Sequence, residues 1–229
     1  MQSESRSETA ERYETRAEAA PVVALVPLAL VSLAFVSRAE EWAFLGLAWW
    51  VWLVLAVPAL LLAVDLWLGP RGLGFARTRA AGLVLLGVMV VGNLVGLVVL
   101  VAALVTARGD ELGGGQLLFT AAAIWATNVI VFGMCFWELD GGGPSERARS
   151  RRLPDLLFPQ DQSPDLAPEQ WRPRVWDYLH TSLSTATAFS PTDAMPMTLR
   201  AKALMGFESV VSLVVVVLVT ARAVNVLGT

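Results

Sequence analysis

The chain has 229 residues, of which 55% are hydrophobic and only 16% charged, with a formal net charge of −3; a soluble domain carries about 25% charged residues. Several apolar runs exceed the ~18 residues that mark a membrane-crossing helix, so the chain is predicted to be an all-α integral membrane protein whose first partner is the lipid bilayer. The charge balance gives no basis for nucleic-acid binding, the single cysteine (Cys135) excludes an intrachain disulfide, and the single histidine (His180) leaves no His/Cys metal cluster.

Residues 1–20 form a polar tail in which Glu4, Glu8, Glu11, Glu14 and Glu18 face Arg6, Arg12 and Arg16. The tail lacks the apolar core of a signal peptide. A first span over 21–36 and a tight turn over 37–41 predict a hairpin with a second span over 42–68. Trp42 and Trp67 near the ends of that second span fit interfacial anchoring, and Pro58 is expected to kink it. The third span, 80–107, carries Gly87, Gly92 and Gly96, which suit close helix packing. These three spans make up a region over 21–107. A second region over 116–227 follows: a fourth span over 116–137, a long polar loop over 138–174, a short helix with a hydroxyl-rich turn over 176–193, and a fifth span over 199–227. The loop holds Gly141-Gly142-Gly143-Pro144 and the cluster Arg147, Arg149, Arg151 and Arg152. No internal repeat is visible.

The stretch Thr185-Ala186-Thr187-Ala188-Phe189-Ser190-Pro191-Thr192-Asp193 is too polar to cross a bilayer and too apolar for an ordinary surface loop. A short helix leads into it and a long apolar helix leads out, so it reads as a re-entrant loop. Irregular backbone survives at membrane depth only when buried in protein or lining a wet cavity. With Thr181 to Thr187 at the end of a short helix, Asp193 after the turn, and Pro196, Thr198 and Ala201-Lys202 at the entry to the last helix, this part of the chain resembles the pore module of potassium-channel-like proteins. The resemblance implies five transmembrane helices plus one re-entrant pore helix and loop between helices 4 and 5, assembled as a homotetramer around an ion path. It covers under half of the chain.

The filter of that family reads Thr-Val-Gly-Tyr-Gly-Asp, whereas aligning the Asp here gives Ala188-Phe189-Ser190-Pro191-Thr192-Asp193. Both glycines are absent, and with them the backbone freedom that turns successive carbonyls into a pore. Pro191 fixes its own φ and restricts Ser190. Side chains are the replacement: hydroxyl rings from Thr185, Thr187, Ser190 and Thr192 and a carboxylate ring from Asp193, which favours cations. The competing reading is that the hydroxyls cap the short helix and Asp193 caps the last one.

Glu208, ten residues into the last span, is an intramembrane carboxylate and so a functional candidate. It either faces a cavity, braces the re-entrant loop by meeting Ser or Thr hydroxyls, or pairs with Lys202. His180 on the short helix is either a pH sensor or a packed, hydrogen-bonded histidine. Asp65 sits near the end of the second span, Asn93 and Asn128 are placed for interhelical hydrogen bonds, and Arg222 for snorkelling to head groups. The Arg and Lys count favours a cytoplasmic N-terminus, whereas the resemblance implies the reverse orientation. The expected function is a homotetrameric pore for small monovalent cations in a bacterial-type plasma membrane, with no catalytic residue, no metal site and no cofactor. The alternative is a non-conducting accessory or sensing protein on the same scaffold. An intramembrane enzyme or transporter would need paired acids or inverted repeats, which are lacking.

Overall fold

The computed structural model describes residues 18–39, 41, 48–68, 79–105, 114–149, 153–169, 171–189 and 193–227. Five helices among them are long and apolar enough to cross a membrane. They are α1 (Ala20–Ala39), α2 (Trp50–Leu68), α3 (Arg79–Val105), α4 (Gly114–Leu139) and, last in the chain, α8 (Leu199–Leu227). The fold is therefore that of an all-α membrane protein. Between α4 and α8 lie a 3-10 turn (Asp140–Gly142), α5 (Pro144–Arg149), strand β1 (Leu156–Leu157), α6 (Pro159–Gln162), the 14-residue α7 (Val175–Ala188) and strand β2 (Met195–Pro196).

Helices α1 and α2 form a hairpin, and α2 continues helically through Pro58. Trp67 at the end of α2 is 80% exposed, as an interfacial anchor would be, while Trp42 lies outside the described residues. Asp65 is buried rather than at an interface. α4 packs against α1, α3, α7 and α8 and is the central post. One core cluster joins α1, α2 and the second half of α4 to the polar loop and α7, and a second joins α1, α2, α3, the first half of α4 and the middle of α8. The α3 face bearing Val84, Val88, Val91, Val95 and Val98 is exposed, with the helical spacing of a lipid-facing stripe.

Polar side chains hold this frame across the core. Asn93 of α3 donates to the Asn128 side chain at 2.9 Å, Thr127 donates to Asn93 at 2.8 Å, and Asn128 donates to Ser212 of α8 at 3.1 Å. In lipid, helices have no hydrophobic drive toward one another, so such bonds and close packing carry the association. The glycines suited to close packing divide unevenly. A Cβ at Gly87 would meet nothing within 4 Å, whereas one at Gly92 would touch Leu55 at 3.3 Å and one at Gly96 would touch Ile124 at 3.7 Å. Among the described helix–helix contacts the tightest approach is elsewhere, at Gly133 of α4. A Cβ there would meet Leu179 Cδ2 at 2.9 Å, Leu179 Cα at 3.1 Å and the Tyr178 carbonyl at 3.4 Å.

Gly133 is therefore where α7 lies directly on α4, backbone to backbone. Gly133→Ala is expected to push α7 away and lower the thermal midpoint in detergent micelles, with a cost of about 1–3 kcal/mol for overpacking. Gly87→Ala should leave the midpoint unchanged or raise it, since it removes a helix-interior glycine at a site with room.

Candidate functional site

At 14 residues α7 is about 21 Å long, too short to cross a ~30 Å hydrocarbon layer. It starts beside the end of α4 and runs antiparallel to it. Tyr178 and Leu179 lie against Gly133, and one turn further Ser182 meets Val129. Val129 is ten residues before the end of α4, which places that contact about 15 Å in from the helix end. α7 ends at Ala188, where Phe189 adopts the left-handed conformation (φ 55°, ψ 24°) and donates its N–H to the Thr185 carbonyl at 3.0 Å. By Met195–Pro196 the chain is back at the polar loop, paired antiparallel with Leu156–Leu157. α7 thus lies antiparallel on the second half of α4 and stops there, with Thr187 and Ala188 at its end exposed.

The polar loop anchors its entry. Asp140, at the end of α4, is buried, and its Oδ1 accepts from the amides of Asp155 at 2.6 Å and Leu156 at 3.1 Å. Its Oδ2 accepts from the Tyr178 hydroxyl of α7 at 2.6 Å. Arg147 donates to the carbonyls of Trp137 and Asp140, both at 2.7 Å, satisfying the open end of α4, and its guanidinium lies 5.0 Å from the Tyr178 ring centroid. Gly141 turns the chain at φ +55°, and a Cβ there would strike Arg147 Cγ at 2.8 Å, so glycine is required. Phe158 stands edge-on to Tyr178 and Trp171, closing an aromatic wedge against the first turn of α7. Asp177 in that turn accepts from the Arg174 amide at 2.7 Å.

Asp155 ties α8 to the same knot. Its carboxylate accepts from the Gly141 amide at 3.0 Å, the Thr198 hydroxyl at 2.6 Å and Arg200 Nε at 2.7 Å, and Arg200 Nη2 closes a second contact. Arg200 also donates to the Leu139 carbonyl at 3.2 Å. Burial pushes the Asp155 carboxyl up, but the bonds from Arg200, Thr198 and Gly141, with the Arg200 charge, outweigh it and hold the carboxyl below the usual range.

The residues singled out in the sequence fall into three groups. Thr185 is buried and donates to the Thr181 carbonyl at 2.8 Å, so its hydroxyl points back along the helix. Thr187, Ala188 and Phe189 are exposed at the tip, with the Thr187 hydroxyl donating to the Leu183 carbonyl at 2.8 Å. Ser190, Pro191 and Thr192 lie outside the described residues, as does the side chain of Arg222. Asp193 meets His180 Nε2 at 2.5 Å, tying the outgoing chain to α7, with both side chains exposed. Asp193 does not cap α8; Thr198 does, accepting from the Ala201 amide at 3.3 Å.

Glu208 is fully buried and stands against Ser182 of α7, whose hydroxyl also lies 2.7 Å from the Val129 carbonyl of α4. That single point joins α4, α7 and α8. Comparison with protein-family models, with curated proteins and with solved structures finds no match to this chain in any of the three.

The depressed Asp155 carboxyl has a signed consequence. A group whose folded-state pKa is lowered stabilises the fold above its unfolded value, near 4, and loses that contribution as pH falls through its folded value. The thermal midpoint of the wild type is expected to fall as pH drops below about 4. Asp155→Asn should start from a lower midpoint at neutral pH and show a shallower acid slope; equal slopes would remove Asp155 from the account.

Proposed function

We propose that this chain is a subunit of a pore-loop membrane protein, a homotetramer that passes small monovalent cations past the tip of α7 in a bacterial-type plasma membrane. The observation that carries the reading is a half-helix that packs on α4 and stops partway along it, with a polar-bearing face and tip uncovered. Trp176, His180, Leu183 and Thr187 recur at helical spacing along the exposed side of α7. An imidazole on an exposed face at membrane depth calls for water or protein rather than lipid.

The electrostatics favour a cation. The C-terminal end of a helix carries the equivalent of about −0.5 charge, and the last turn of α7 has no basic residue to neutralise it. Half-helices and carboxylate rings aimed at a path are a recurring means of cation selection. Asp193 adds a carboxylate beside the way out. The four-fold count comes from the resemblance to potassium-channel-like proteins, which also supplies the roles of α4 as outer helix and α8 as inner helix. With both filter glycines absent, weak selectivity among small cations is expected.

Phe189 favours a second reading. The residue is 39% exposed at the tip of α7, where four copies would narrow or seal an axial path and leave a sensing or accessory protein on a channel-like scaffold.

Reconstituted liposomes distinguish the two. The first reading expects cation flux and a particle of four chains, with Asp193→Asn lowering flux about tenfold, the low end of what a one-sign charge cluster does to local counter-ion concentration. A four-chain particle without flux, restored to conduction by Phe189→Ala, supports the sealed form. A monomer without flux contradicts both.

A further inference from the structure

We infer that Glu208 holds a bound proton and donates it to Ser182, which makes the joint between α8 and the re-entrant helix a proton site. Hydrogen accounting leads there. Ser182 Oγ lies 2.7 Å from the Val129 carbonyl oxygen and is also in hydrogen-bond contact with Glu208 Oε1. Ser182 and Glu208 are both 0% exposed. A serine hydroxyl has one hydrogen, a carbonyl oxygen only accepts, and an ionised carboxylate only accepts. With Glu208 ionised, the one hydrogen of Ser182 serves one neighbour, and the other contact sets lone pair against lone pair in a dry site. With a proton on Glu208 the chain closes: Glu208 donates to Ser182 and Ser182 donates to Val129.

The surroundings agree. Glu208 Oε2 is buried with no hydrogen-bond partner, tolerable for the carbonyl oxygen of a neutral acid and costly for a carboxylate. The titratable group that faces Glu208 from α4 is Cys135, which supplies no positive charge. From α7 the facing group is Ser182, and on α8 itself the neighbouring polar residue is Ser212, one turn on and bonded to Asn128. No lysine, arginine or histidine among the described residues forms an ion pair with Glu208. The proton is thus the ligand that lets three helices meet at one point, and it stands there whether or not the tip of α7 passes ions.

Glutamine in place of the acid donates an N–H from the same position, so Glu208→Gln is expected to keep the wild-type thermal midpoint within a few degrees. The decisive readout is the infrared difference spectrum of wild type minus Glu208→Gln in liposomes near neutral pH. Intensity in the C=O region of a protonated carboxyl is expected. Intensity in the carboxylate region instead would overturn the inference. Should Glu208→Gln not fold, Ser182→Ala carries the test. Removing the acceptor should shift the carboxyl C=O band to higher frequency, and a spectrum with no Ser182-dependent carboxyl band would overturn the assignment equally.

Discussion

The structure depends on one contact, Ser182 of α7 held between the Val129 carbonyl of α4 and the Glu208 carboxyl of α8. Lipid gives apolar helices no reason to prefer one another over acyl chains. A 14-residue helix that enters the bundle and stops there must be retained by polar bonds and by close backbone packing. The Ser182 contact provides the first and Gly133 the second, one turn apart along α4. Nearer the entry, Asp140 and Asp155 fasten the start of α7 and the start of α8 to the end of α4. Between the knot at the entry and the bolt in the core, α7 is fixed over its first two turns, while its last turn projects free of the core at Thr187 and Ala188.

That division separates scaffold from candidate site. The Asn93–Asn128–Ser212 ladder ties α3, α4 and α8 together below the bolt, so α8 is held from both sides of Glu208. Rigid support on one face and exposure on the other is the arrangement expected of a loop positioned by its scaffold. The uncovered α7 face carries an imidazole and one hydroxyl, whereas the exposed α3 face carries only valines at its centre. The two exposed faces therefore suit different surroundings, protein or water for α7 and acyl chains for α3.

The long helices were legible because apolar runs of membrane length admit few alternatives: the spans read at 80–107, 116–137 and 199–227 are observed at Arg79–Val105, Gly114–Leu139 and Leu199–Leu227. The short helix was legible for the same reason in reverse, as a helical run too short and too polar to cross. Glu208 stood out as an acid in an apolar helix, but a cavity, the Ser and Thr hydroxyls of the loop and Lys202 were all open to it until the structure set it against Ser182. The interior of the loop over 138–174 was not legible. Its fold rests on Asp140 meeting amides fifteen and sixteen residues later and on Arg200 reaching back to Asp155, contacts with no periodicity to betray them. Gly133 was passed over because a lone glycine in an apolar helix looks like Gly87, which faces open space. Only the partner helix distinguishes them. His180 and Asp193 were both marked, but their pairing depends on how far the outgoing chain climbs beside α7, which spacing alone does not determine.

The central claim is that the last turn of α7 meets water inside the membrane. Cys135 is the chain's only cysteine and is buried, so a Cys135→Ala background isolates single introduced thiols. The direct measurement is the reaction of Thr187→Cys in liposomes with a charged, membrane-impermeant thiol reagent, beside Asp165→Cys on the exposed loop and Val91→Cys on the α3 stripe. The account predicts that Thr187→Cys reacts like the loop thiol. A Thr187→Cys as inert as Val91→Cys would place the tip in lipid or dry protein and contradict it.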